Sequence, residues 1–146
     1  MAFRGTYDHT LDAKNRLTVP SKMRPQLTET VVLTQGTRPC VAIYRPEEFE
    51  AHVDAYREGL HPGSTQAQQI DEFFQANAFD TEIDSAGRVM LPPRLMEYAG
   101  LGKDVHVVGV RNHIQIWDRE AWAAHNETLS RAITNISDLL GGQNPS

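Results

Sequence analysis

One short motif occurs twice in this chain, and the duplication constrains the fold more than any other feature. Asp12-Ala-Lys-Asn-Arg16-Leu-Thr-Val-Pro20 aligns with Asp84-Ser-Ala-Gly-Arg88-Val-Met-Leu-Pro92, so that aspartate, arginine and proline coincide at an offset of 72. Apolar Leu17 and Val19 fall on Val89 and Leu91, while upstream Tyr7 falls on Phe79 and Leu11 on Ile83. After a one-residue shift Gly36 meets Gly109, Arg38 meets Arg111, Ile43 meets Ile116 and Tyr44 meets Trp117. Glu47 then meets Glu120, and Phe49 meets Trp122. Order and side-chain character persist over about fifty residues, the mark of a repeated structural unit.

Each copy reads the same way. A strand leads into the Asp-x-x-x-Arg loop, and a short strand ends at Pro20 or Pro92. A brief helix follows, to about Leu27 or Ala99, with Gly100 as a helix stop in the second copy. Next come paired strands, 31–35 with 40–44 and 105–109 with 113–117, joined through hairpin turns at 36–39 and 110–112. Each copy closes with a helix. Pro46 suits a first helical position, Phe49, Val53 and Tyr56 share one face, and Asp118 is a good N-cap. Between the copies, 59–64 reads as a loop and 65–77 as a helix with Ile70, Phe73 and Phe74 facing inward. The expected division is a first module at 1–60, a linker with a connecting helix at 61–77, a second module with the C-terminal helix at 78–140, and a tail at 141–146. A module of this size has too little core to stand alone. The two are therefore expected to pack about a pseudo-twofold axis as one shared β-barrel with peripheral helices, an α+β fold. In the last helix Leu129, Ile133, Ile136 and Leu140 form a narrow stripe. That stripe either covers the chain's own barrel or docks on a neighbouring subunit.

Composition excludes several classes. The 146 residues are 40% hydrophobic and 23% charged, the balance of a globular protein rather than a disordered one. No apolar run approaches the roughly 20 residues of a membrane span. The opening residues lack the apolar core of a signal peptide, so a cytoplasmic location is expected. A single cysteine, Cys40, rules out an intramolecular disulfide and reads as a small core residue. His9, His52, His61, His106, His113 and His125 are scattered without a ligand motif, and His106 and His113 read as ordinary sheet residues. No catalytic triad order, nucleophile elbow or phosphate-binding glycine loop appears, so neither an enzyme, a metal site nor a cofactor is expected. The net charge of −5 is unevenly spread. Residues 1–25 carry +3, residues 47–84 carry −9, and residues 85–103 carry +2. A basic face is possible if the fold unites the two basic stretches.

The repeated loop sets an acid four residues before an arginine. Gly87 reaches positive φ freely, and its counterpart Asn15 is the non-glycine residue best able to follow. The backbone is expected to curl, letting Asp12 and Asp84 cap loop amides or brace the arginines. Arg16 and Arg88 offer a planar donor fork suited to phosphate or to the guanine major-groove edge, and Lys14 adds charge to the first loop. A plain Asp–Arg salt bridge that only pins each turn is the competing reading.

The doubled Asp-x-x-x-Arg motif with its prolines, Phe3-Arg4-Gly5, Gly87-Arg88-Val-Met-Leu-Pro92 and Glu97-Tyr98-Ala99-Gly100-Leu101 together resemble the MraZ family over about residues 1–140. Asn15 departs from the glycine usual there. The resemblance implies two AbrB-like swapped-hairpin modules, a ring-shaped homo-oligomer, and a bacterial transcriptional regulator. Such a regulator binds repeated boxes in double-stranded DNA upstream of the division and cell-wall gene cluster, and would be nucleoid-associated. It implies DNA contacts from Lys14, Asn15, Arg16, Gly87 and Arg88, loop bracing by Asp12 and Asp84, and candidate phosphate contacts at Arg4, Lys22, Arg24 and Arg94. A head-to-tail ring presents its loops by rotation and so favours direct repeats. The alternatives are an AbrB-like antitoxin or other AbrB-type DNA binder, and a structural ring whose loops only touch neighbouring subunits.

Overall fold

The computed structural model describes residues 2–142. Its strands are β1 (Thr6–Thr10), β2 (Arg16–Thr18), β3 (Thr30–Gln35), β4 (Val41–Tyr44), β5 (Phe79–Glu82), β6 (Arg88–Met90), β7 (Asp104–Val110) and β8 (His113–Asp118). Its α-helices are α1 (Pro46–Arg57), α2 (Thr65–Gln75), α3 (Pro93–Ala99) and α4 (Arg119–Gly142). Six strands form an antiparallel sheet in the order β1-β7-β8-β4-β3-β5, and β2 pairs with β6 in a separate antiparallel ribbon. The strand pairing does not close into the expected barrel. The turns that follow β1 and β5 redirect the chain, so the three-residue strands β2 and β6 pair with each other and leave β1 and β5 as open edges.

Exchanging β1 with β5, β3 with β7 and β4 with β8 simply reverses the sheet order. The first strand of each half pairs across to the third strand of the other, β1 with β7 and β5 with β3. The registers correct one detail of the sequence alignment. Leu33 lies opposite Phe79 just as Val107 lies opposite Tyr7, so Gln35 rather than Gly36 is the counterpart of Gly109. The β3–β4 connection spans 36–40 whereas that of β7–β8 is only 111–112, and the unequal loops absorb the shift.

Alternation along the strands gives the sheet two covered faces. Val31, Leu33, Val41, Ile43, Val105, Val107, Ile114 and Ile116 point to one side, where they pack with Leu17 and Val19 of the first copy and with Val89, Leu91 and Leu95 of the second. Val32, Ala42 and Tyr44 point to the other side, against Phe49 and Val53 of α1 and Phe74 of α2. The Thr34 hydroxyl donates to the Phe74 carbonyl at 3.1 Å and ties α2 to this face. Cys40, Val108 and Trp117 form a third cluster under Ala121 and Trp122 of α4.

Helix limits follow local chemistry. Pro46 opens α1, the Ser64 hydroxyl caps α2 through the Ala67 amide, and an Asp118 carboxylate oxygen accepts from the Ala121 amide at 3.1 Å. Gly100 ends α3 with φ 62. The corresponding helix of the first half shrinks to a 3-10 turn at Arg24–Gln26, because Pro25 sits inside it and cannot donate. The stripe on α4 does not cover the chain's own sheet. Leu129 is half-buried, but Ile133, Ile136 and Leu140 are exposed. Gly141 and Gly142 belong to this helix, and the rest of the expected tail, 143–146, lies outside the described residues.

Candidate nucleic-acid interface

The two loops have the same internal geometry. Asp12 Oδ1 accepts from the backbone amides of Lys14 and Arg16, each at 2.9 Å, and its Oδ2 accepts from Arg16 Nε at 2.7 Å. Asp84 Oδ1 accepts from the amides of Ala86 and Arg88 at 3.0 and 2.9 Å, and its Oδ2 from Arg88 Nε at 2.8 Å. The tight turns close through Asn15 N to Asp12 O and Gly87 N to Asp84 O. Asn15 has φ 58 and Gly87 has φ 77, so both residues adopt the left-handed curl. The Arg16 amide, then its guanidinium, holds the Asp12 carboxyl below the ordinary carboxylate range, and Arg88 acts likewise on Asp84.

The aspartates therefore both cap the loop and brace the arginine. Only Nε of each guanidinium is spent on the aspartate, and both arginines are partly exposed. Their Nη groups make no hydrogen bond among the described residues. The salt bridge and an outward donor fork coexist, so the pinned turn does not exclude a binding role.

Register places the two loops at opposite ends of one ribbon. Arg16 lies across from Met90, Leu17 from Val89, and Thr18 from Arg88. Val19 N donates to Gly87 O and Leu91 N to Asn15 O, continuing the ribbon into each loop. Leu17 and Val89 are fully buried, so the alternate residues Arg16, Thr18, Arg88 and Met90 share the outer face. Thr18 and Met90 were missed as candidate site residues. The signal was present in the period-two alternation about the apolar Leu17 and Val89.

The other basic residues separate into three situations. Lys14 is exposed on the first loop, and Lys22 and Arg94 are exposed at positions 72 apart, each two residues beyond its proline. Arg24 spans the halves: its Nε donates to Val19 O at 2.8 Å, and its side chain packs over the bare Cα of Gly87. Arg4 is exposed but lies at the far end of β1 from the loop. There Phe3 bridges Arg111 and the Gly5 carbonyl accepts from Gly109 N, with no room for a side chain on Gly109. The five residues of β1 put roughly 17 Å between Arg4 and the first loop.

Charge is sorted by the sheet. α1 and α2, which carry Glu47, Glu48, Glu50, Asp54, Asp71 and Glu72, pack on the face opposite the ribbon. The described residues contain no cluster of three or more His, Cys, Asp or Glu suited to a metal ion, and no described helix is long and apolar enough to cross a membrane. Cys40 is buried, and desolvation pushes its thiol up to about 12.

A duplicated strand–loop–strand unit, with both aspartate-braced arginine turns on one ribbon, defines a tandem-module α+β protein. The chain belongs to the MraZ family, a non-enzymatic one: the family described as "MraZ protein, putative antitoxin-like" matches residues 2–70 and again 74–138. Relatives named "Transcriptional regulator MraZ" include that of Symbiobacterium thermophilum, 39% identical over 94% of this chain and 99% of its own. That of Lachnoclostridium phytofermentans is 40% identical over 94% of this chain and 96% of its own, and that of Acetivibrio thermocellus 35% over the same shares.

Proposed function

We propose that this chain is a sequence-specific DNA-binding transcriptional regulator that uses both Asp-x-x-x-Arg loops on double-stranded DNA. One observation carries the reading. Two guanidinium groups, each held at Nε by its own aspartate, lie on the outer face of a single two-stranded ribbon with their Nη groups uncommitted. The major groove admits a two-stranded β-ribbon, and an arginine fork suits its guanine edge. Lys14, Asn15 and Gly87 shape the loops, Asp12 and Asp84 brace them, and Lys22 and Arg94 flank them for phosphate. Arg24 acts as a positioning residue, and Arg4 is remote from the ribbon. The name of the relatives and the charge sorting across the sheet support the same reading.

The finer reading has two AbrB-like modules at 1–60 and 78–140 related by a pseudo-twofold axis, supported by a sheet order that survives exchange of the halves. The chains assemble head to tail into a ring, for which the uncovered α4 stripe offers a contact. That ring engages direct repeats in promoters of the division and cell-wall gene cluster, in the cytoplasm at the nucleoid.

The test is a gel-shift titration on the chain's own upstream DNA at several salt concentrations. Affinity should fall steeply with salt, because each phosphate contact releases counterions. Arg16→Ala should weaken specific binding at least about tenfold per loop engaged while leaving the unfolding midpoint and the assembled mass unchanged. Loss of binding only in proportion to loss of folded protein would return the arginines to a purely structural role. The antitoxin reading has the exposed α4 stripe in its favour as a toxin-masking surface. It predicts one-to-one capture of a toxin chain that Ile136→Asp abolishes.

A further inference from the structure

We propose that Met90 is a specificity-determining residue, its thioether side chain seated against the C5 methyl of a thymine and setting the direction in which the chain lies on its site. The inference rests on the DNA-binding reading and names what the ribbon's apolar element recognises.

The outer face of the ribbon holds four side chains in two cross-strand pairs, Arg16 with Met90 and Thr18 with Arg88. Arg16 and Arg88 are 72 residues apart, and so are Thr18 and Met90. Exchanging the halves therefore lays arginine on arginine but threonine on methionine. A ribbon with four matching positions would read a duplex equally in both directions. The Thr18/Met90 mismatch removes that equality, and the loops add to it, since Lys14 and Asn15 face Ala86 and Gly87 in the repeat.

Met90 is 55% exposed, the most open large apolar side chain among the described residues outside α4. It joins none of the three apolar clusters of the chain. An uncovered apolar group between two arginines suits a partner surface that is charged at its edges and apolar at one point. The major groove has that pattern, phosphates at the rim and the thymine methyl as its apolar feature. A flexible thioether adapts to such a methyl without demanding one geometry.

The experiment uses the full chain and duplexes that it retains from a random pool. Each thymine of the retained site is replaced in turn by deoxyuridine, which lacks only the C5 methyl, and Met90→Ser is tested beside the parent protein. One replacement should weaken the parent about fourfold, the effect of roughly one buried methylene, and weaken Met90→Ser, which has no methyl to offer, by less than about 1.5-fold. Sites retained by Met90→Ser should lose the thymine preference at that position. Equal responses of the parent and Met90→Ser to every replacement overturn the proposal. So does a fall in the assembled mass of Met90→Ser with base preference unchanged, which assigns Met90 to a subunit contact. If Arg16→Ala abolishes duplex binding while no deoxyuridine matters, the ribbon reading stands and only Met90 is refuted. If the parent retains no duplex, both fall.

Discussion

Gly87→Ala should cost more than an ordinary glycine substitution, because two constraints meet at one atom. The residue has φ 77, where a side chain costs about 1–2 kcal/mol. A Cβ there would also stand 2.5 Å from Cζ and 2.8 Å from Cδ of Arg24. The Arg24 side chain is flexible, but its Nε is tied to Val19 O at 2.8 Å. Making room means giving up that charge-assisted hydrogen bond, worth about 1–2 kcal/mol at a partly exposed site. Together the two effects come to about 2–4 kcal/mol. Urea unfolding measures the loss, and a double-mutant cycle with Arg24→Ala separates its parts. Without the Arg24 side chain, Gly87→Ala should cost only the backbone share of about 1–2 kcal/mol, leaving a coupling energy of about 1–2 kcal/mol. Equal costs in both backgrounds would refute the packing of Arg24 on Gly87. No cost in either would refute the left-handed turn itself.

Acid should destabilise the fold through His113. Trp117 Nε1 donates to Gln115 Oε1 at 2.8 Å, which leaves Gln115 Nε2 to donate to His113 Nε2 at 3.1 Å and His113 Nδ1 to donate to Asn112 Oδ1 at 2.8 Å. Protonation at Nε2 would set donor against donor. Burial, and then the neighbouring His52, lowers the His113 pKa from 6.5 to about 4. The folded value lies below the unfolded one, so this stability is present above pH 6.5 and is lost as pH falls towards 4. Of the stability that urea midpoints show lost between pH 7 and pH 5, His113 should account for about 2 kcal/mol, a share that His113→Gln removes, while His9, His52 and His125, also lowered by burial, keep a remaining slope. For α4, Ile133→Ser with Ile136→Ser should lower the assembled mass in light scattering. Both side chains are exposed on the single chain, so unfolding at low concentration should shift by less than about 0.5 kcal/mol. An unchanged mass would remove α4 from assembly.

Much of the candidate site was legible because its physics is local. An aspartate four residues before an arginine, with asparagine or glycine between to accept positive φ, can cap the loop amides by curling, and both loops do so. Pro46, Asp118 and Gly100 mark helix ends for equally local reasons. The brief helix expected after Pro20 is present only as a 3-10 turn ending at its C-cap Leu27, because Pro25 lies inside it. The pairing of Gly36 with Gly109 failed by one residue because loop lengths differ, and only the hydrogen-bond registers reveal which residues are equivalent. Arg24 reads from the sequence only as a candidate phosphate contact, since nothing in its neighbourhood announces the bond from its Nε to Val19 O or the space over Gly87.

The amino-acid order alone determined the duplication, which shows as matching residues 72 apart, and the alternation of each strand and the curled turns, which depend on residues within a few positions of one another. Tertiary structure alone decided that β2 meets β6, that the sheet stays open, and that the acidic helices lie behind it. Those choices depend on which apolar faces can be buried together, a property of the assembled surfaces of both halves. The same contacts bring Arg16, Thr18, Arg88 and Met90 onto one face although 72 residues separate their repeats.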